Sequence, residues 1–119
     1  MPLAVEIALW DLMGKTLVLP LYRLLGGTNP HVRTYGSTLD FHLSDEEFRA
    51  RLDEFKQMGF RGIKVKVSHP EIDWDLQRLG IVCDVMGHDC DLMIDANEAW
   101  SPKEAIRRAN LYRDNGFDI

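Results

Sequence analysis

Two pairs of residues in this chain combine reactive side chains with a telling separation: Lys64 with Lys66, and Asp95 with Asn97. Two residues apart on an extended strand, both side chains of a pair fall on one face. Lysines held side by side repel and each must shed water, so the pair is favourable only beside solvent, anions or carboxylates. The same crowding lowers a lysine pKa, which suits a proton acceptor working near neutral pH. A carboxylate next to two ammonium groups relieves part of their repulsion and can also offer oxygen to a hard divalent cation. The plainer alternative is a wet edge strand with two solvated lysines, followed by an aspartate and an asparagine that only shape a turn.

The secondary structure that carries these pairs is read from periodicity. Residues 61–67 alternate, with Ile63, Val65 and Val67 opposite the lysines, and read as a strand. Residues 91–97 read as the next strand, and Val32 to Ser37 as an earlier one. Helices are expected between them. Ser44 to Glu47 forms a capping box ahead of a stripe of Phe48, Leu52, Phe55 and Met58. Trp74, Leu79, Val82 and Val85 mark a helix from about Asp73 to Met86, and Ser101-Pro102-Lys103-Glu104 opens a last one. Gly59, Gly87 and Gly116 close these helices about 28 residues apart, the length of one strand-plus-helix unit. Before them, residues 3–14 read as a helix with Val5, Ala8, Leu9 and Leu12 on one side and a stop at Gly14. A short second helix runs from about Pro20 to Leu25.

Repeated strand–helix units mean an α/β architecture with a parallel sheet, either open and doubly wound or closed as a barrel. An open sheet of this size would leave the apolar start of a further strand, Phe117-Asp118-Ile119, unpaired. The expectation is therefore part of a barrel: residues 1–30 the helical end of a preceding region, residues 31–119 its first three units and the start of a fourth strand. Partners on both sides would be missing. Ligands of such folds sit beyond the carboxyl ends of the strands, where both pairs fall. One carboxylate is too few for a magnesium site, so further acidic ligands are expected from other strands.

Other candidates are weaker. His69 reads as an exposed loop residue before Pro70, Glu98 as solvent-facing, Tyr35 and Ser37 as able to reach the cavity mouth, and Trp100 as a cover for its rim. His31, His42 and His88 have no ligand-like spacing, and Cys83 and Cys90 read as free thiols of a reducing, cytoplasmic protein. A net charge of −5 without a basic tract argues against nucleic-acid binding. No apolar run is long enough to span a membrane, and the N-terminus lacks the basic region of a signal peptide.

Several stretches, in this order and spacing, resemble the enolase superfamily, in particular its mandelate racemase/muconate lactonizing enzyme group. They are Ala8 to Lys15, Pro20 to Gly27, Lys64-Val65-Lys66, and Met93 to Trp100. The resemblance implies the end of an N-terminal α+β capping domain followed by the first units of a modified (β/α)7β barrel. It implies a Mg2+-dependent lyase or isomerase that abstracts the proton α to a carboxylate, stabilising the resulting enediolate on the metal. By that resemblance Lys66 is the general base and Lys64 its partner, Asp95 is the first of three carboxylate metal ligands, and Asn97 reaches substrate. Ser68 stands where family members often have glycine. The resemblance further implies a homo-oligomer, dimer or octamer, acting on a small carboxylate.

Among such activities an acid-sugar dehydratase is the leading expectation, with a racemase, epimerase or cycloisomerase as the alternative. A catalytically dead homologue is a further one. A receiver-like signalling domain, with Asp95 as phosphoryl acceptor, would need an acidic pair after the first strand, whereas only Asp40 stands there.

Overall fold

The computed structural model describes residues 2–37 and 41–119, so Asp40 lies outside the described residues. The chain divides into two compact units between Arg33 and Thr34. The first is helical, with α1 over Pro2–Leu17 and α2 over Leu21–Leu24. Contrary to expectation, α1 does not stop at Gly14. That glycine is buried, and a β-carbon there would stand 3.0 Å from the Leu19 carbonyl oxygen. Its role is close approach to the returning chain, whose Leu19 N–H donates to the Gly14 oxygen at 2.9 Å. The helix breaks instead at Val18, which takes a φ of 52°. The expected apolar side of α1 is open to solvent, with Leu9 and Leu12 56% and 60% exposed.

The second unit repeats strand and helix: β1 (Gly36–Ser37), α3 (Asp45–Gln57), β2 (Gly62–Lys66), α4 (Ile72–Met86), β3 (Asp91–Asp95) and α5 (Pro102–Asp114). The strands form one parallel sheet in the order β1-β2-β3. β1 is shorter than the sequence suggests. Gly36 pairs with Ile63, so residues ahead of Tyr35 have no β2 residue opposite them, and Val32 is 81% exposed. Gly36 itself is required there, because an added β-carbon would come within 2.7 Å of the Phe55 ring on α3.

Helix ends form for the reasons the sequence carries. The Ser44 N–H donates to Glu47 at 2.8 Å while the Ser44 hydroxyl accepts from the Glu47 N–H, the reciprocal cap of α3. These bonds hold the Glu47 carboxyl below its ordinary value. At α5 the Ser101 hydroxyl accepts from the Glu104 N–H, a one-way cap with Pro102 in the first turn. Gly59, Gly87 and Gly116 all take φ between 84° and 91°, the left-handed turn that ends each helix, and Phe117 to Ile119, expected to open a fourth strand, pairs with none of the three strands of the sheet.

One core joins the units of this sheet. Ile63, Val65 and Val67 of the β2 stretch meet Phe48 and Leu52 of α3, Leu79, Ile81 and Val82 of α4, Leu92 of β3 and Tyr112 of α5, all buried. All three helices thus share one sheet face, leaving the lysine-bearing face free. An open doubly wound sheet carries helices on both faces, whereas a barrel wall carries them on one. The architecture is part of a (β/α) barrel preceded by helices of a capping region. Met58, expected in the apolar stripe of α3, is 71% exposed, since it sits at the C-cap where the chain turns away. Cys83 and Cys90 are free, and burial pushes both thiols above their ordinary value. Among the described residues no helix is long and apolar enough to cross a membrane.

Leu79 is fully buried at the centre of this core. Leu79→Ala should lower the unfolding free energy by about 2–5 kcal/mol in a urea titration, and a loss below about 1 kcal/mol would contradict the packing described.

Candidate active site

The register places Lys66 opposite Asp95 and Lys64 opposite Met93 on adjacent strands. Their shared face is the one the helices leave open, so both lysines point away from the core that Ile63, Val65 and Val67 fill. The Lys66 ammonium donates to Asp95 Oδ2 at 2.7 Å and to Asn97 Oδ1 at 2.6 Å. Lys64 reaches the same carboxylate oxygen at 3.2 Å. The Lys66 side chain is only 10% exposed, against 26% for Lys64 and 30% for Asp95. The four residues expected to act together, Lys64, Lys66, Asp95 and Asn97, do converge.

Asn97 arrives by a different route than strand alternation. β3 ends at Asp95, and Asn97 and Glu98 take left-handed φ values of 48° and 63°. The Asn97 N–H donates to Asp95 Oδ1 at 3.0 Å, an Asx-type turn that swings the Asn97 amide back over Lys66. Asp95 therefore receives hydrogen bonds on both oxygens. The Lys66 ammonium, then the Asn97 N–H and Lys64, hold its carboxyl well below the ordinary carboxylate range.

Of the weaker candidates, Tyr35 lies beneath Lys64, whose ammonium is 5.7 Å from the ring centre. Ser37 is exposed and Glu98 faces solvent. His69 is not a free loop residue. Its ring stacks on Trp74 at 4.9 Å and its Nδ1 accepts from the Glu71 N–H at 3.1 Å. Trp100 does not cover the cavity rim, because it packs against the core and lies 6.4 Å from the Tyr112 ring.

A buried polar cluster beside the lysine strand escaped the reading of the sequence. Asp75 of α4, with 0% exposure, accepts from the Ser68 and His69 N–H groups at 3.1 Å each. It also accepts from Arg108 Nη1 at 2.9 Å and from the Tyr112 hydroxyl at 2.8 Å, both on α5. Burial, then the hydrogen bond to Asp75, push the Tyr112 phenol far above its ordinary value. The available signal was an acid in phase with Leu79 and Val82, at a core position of an amphipathic helix.

Comparison with known proteins matches residues 47–119 to the family described as enolase C-terminal domain-like. A 3,6-anhydro-alpha-L-galactonate cycloisomerase from Streptomyces coelicolor is 40% identical, over 89% of this chain and 29% of the relative. An arabinonate dehydratase from Saccharolobus solfataricus is 37% identical, over 86% of this chain and 28% of the relative. A solved racemase from Streptomyces coelicolor with bound magnesium superposes with a TM-score of 0.83 at 37% identity, covering 96% of this chain and 32% of that one. The chain belongs to the enolase superfamily, in its mandelate racemase/muconate lactonizing enzyme group. It spans about three-tenths of the length of these relatives. That membership leaves the receiver-like reading without support.

Magnesium calls for hard oxygen donors, about six in all. Asp95 has the right donor chemistry, and the Lys64 and Lys66 ammonium groups lie 3.2 and 2.7 Å from its Oδ2. Among the described residues no group of three or more His, Cys, Asp or Glu could hold a metal. The chain thus fits as the source of one ligand.

Titration calorimetry of these 119 residues with MgCl2 should accordingly show no micromolar binding. A second expectation concerns pH. A carboxyl whose value is depressed on folding contributes stability that is full above its ordinary value, about 3.9, and is lost as pH falls through the lowered one. The Asp95 Cγ resonance should therefore keep its carboxylate shift down to about pH 3, where an unperturbed aspartate is mostly protonated.

Proposed function

We propose that the protein containing this chain is an acid-sugar dehydratase, which removes the proton α to a carboxylate and expels the β-hydroxyl as water. The observation that carries its first step, removal of the α-proton, is the setting of Lys66. A neutral lysine amine has two N–H groups and one lone pair. Once Lys66 gives up its third proton, the Asp95 and Asn97 oxygens, 2.7 and 2.6 Å away, would take those two N–H groups and leave the lone pair for a substrate proton. Lys64 sits beside it on the cavity face, ion-paired to the same Asp95 oxygen at 3.2 Å, where it would meet the substrate carboxylate that the reaction must hold still. Asp95 would give one oxygen ligand to Mg2+, which when bound supplies positive charge against the negative charge building on the substrate carboxylate. Asn97, fixed by its turn, orients Lys66 and faces the substrate.

The relatives support proton abstraction next to a carboxylate as the common step, and their names divide at the fate of the carbanion it leaves. The Streptomyces cycloisomerase favours a second reading, in which the parent protein cycloisomerises a sugar acid from the same first step.

The test is incubation of the full-length protein with a panel of acid sugars and Mg2+ in D2O. A dehydratase yields 2-keto-3-deoxy acids, detected as semicarbazones. A racemase yields the epimeric acid with deuterium at the α-carbon and no water loss, whereas a cycloisomerase that expels a β ring oxygen yields a keto acid isomeric with its substrate, told from the dehydratase product by mass. Lys66→Met should lower kcat by about 100- to 10,000-fold, the usual contribution of a general base, and a variant with near-normal turnover would rule Lys66 out.

A further inference from the structure

We propose that Asp75 is the positioning residue for Lys66, a role that rests on reading Lys66 as the proton acceptor. The backbone following Lys66 is tied at every residue. The Val67 N–H donates to the Asp95 carbonyl at 3.1 Å, the Ser68 and His69 N–H groups donate to Asp75 at 3.1 Å, and Arg108 Nη1 donates to the His69 carbonyl at 3.1 Å. Between these ties Ser68 is held at a φ of 105°, a conformation that a residue with a side chain rarely adopts. Something must hold it there, and Asp75 is the group that receives the Ser68 N–H. Released from that carboxylate, Ser68 relaxes toward ordinary φ, and the rotation is transmitted through Val67 to the direction in which Lys66 leaves the strand.

The carboxylate is suited to this work because it is acceptor-only. Oδ2 takes the Ser68 N–H, Arg108 and Tyr112, and Oδ1 takes the His69 N–H, so all four partners are donors. An asparagine of the same shape must turn its NH2 toward one of them. Facing it toward His69 costs the fewest bonds, and there two donors oppose each other and push the loop away. Asp75 lies on the helix side of the sheet and does not touch the cavity, so it acts only through the backbone.

The experiment uses the full-length protein with Mg2+. In a crystal structure of Asp75→Asn the Lys66 ammonium should no longer make both its 2.7 Å contact to Asp95 and its 2.6 Å contact to Asn97. The kcat should fall by about 100-fold, with KM within about twofold of the original. Ser68→Gly, which removes the strain, should recover about tenfold of that loss when added to Asp75→Asn. Unchanged Lys66 contacts with unchanged kcat would overturn the proposal, as would a loss of kcat that Ser68→Gly does not relieve. Should Asp75→Asn alone not fold, the double variant is compared with Ser68→Gly alone, and equal kcat values would overturn it equally. If the unmodified protein turns over no carboxylate, the reading of Lys66 as a base fails. The displacement of Lys66 in the variant structure then decides the positioning role by itself.

Discussion

Lys66 and Asp95 stand opposite one another on neighbouring parallel strands, with an ammonium-to-carboxylate distance of 2.7 Å, and this pairing depends on a register that is right to the residue. A slip of one residue would send both lysines into the helix-packed face and bring Ile63, Val65 and Val67 out of it. Exposing those three buried side chains would cost several kcal/mol, about 1.5–3 for each. The hydrophobic core therefore does more than hold the sheet together. By committing one parity of β2 to the helices, it delivers the other parity to the cavity face, and the charged cluster inherits its alignment from apolar burial on the opposite side.

The charged cluster and the buried cluster around Asp75 solve different electrostatic problems. At the strand ends, Lys64 and Lys66 share one carboxylate and remain in reach of solvent, so their mutual repulsion is relieved without a full loss of hydration. Asp75 is fully buried and survives because every bond it accepts comes from a donor, two of them backbone N–H groups and one a guanidinium. The first cluster faces a ligand and the second faces the scaffold. They are joined by the four residues from Lys66 to His69.

Much of the fold was legible because each strand–helix unit carries its own punctuation. The capping serines, Pro102 and the left-handed glycines act locally, within a turn of where they stand, and so their meaning does not depend on the rest of the chain. The misreadings came from residues whose role is set at a distance. Gly14 looks like a helix stop until the returning chain at Leu19 is seen to press on it. Val32 looks like a strand residue until the register shows that nothing in β2 lies opposite it. Trp100, one residue before a helix cap, gives no sign of whether it turns to the cavity or to the core, and the structure puts it against the core.

The order of amino acids is enough to give the pairs Lys64/Lys66 and Asp95/Asn97, the parity of the strands and the repeat length, because alternation, caps and spacing are properties of neighbours in the chain. Tertiary packing chose which face of the sheet the helices would cover, and brought Asn97 to Lys66 through a left-handed turn beyond the strand end. It also brought Asp75 on α4 to Arg108 and Tyr112 on α5 across a separation of more than thirty residues. Such contacts depend on how helices settle against a common core, and no local pattern encodes that geometry.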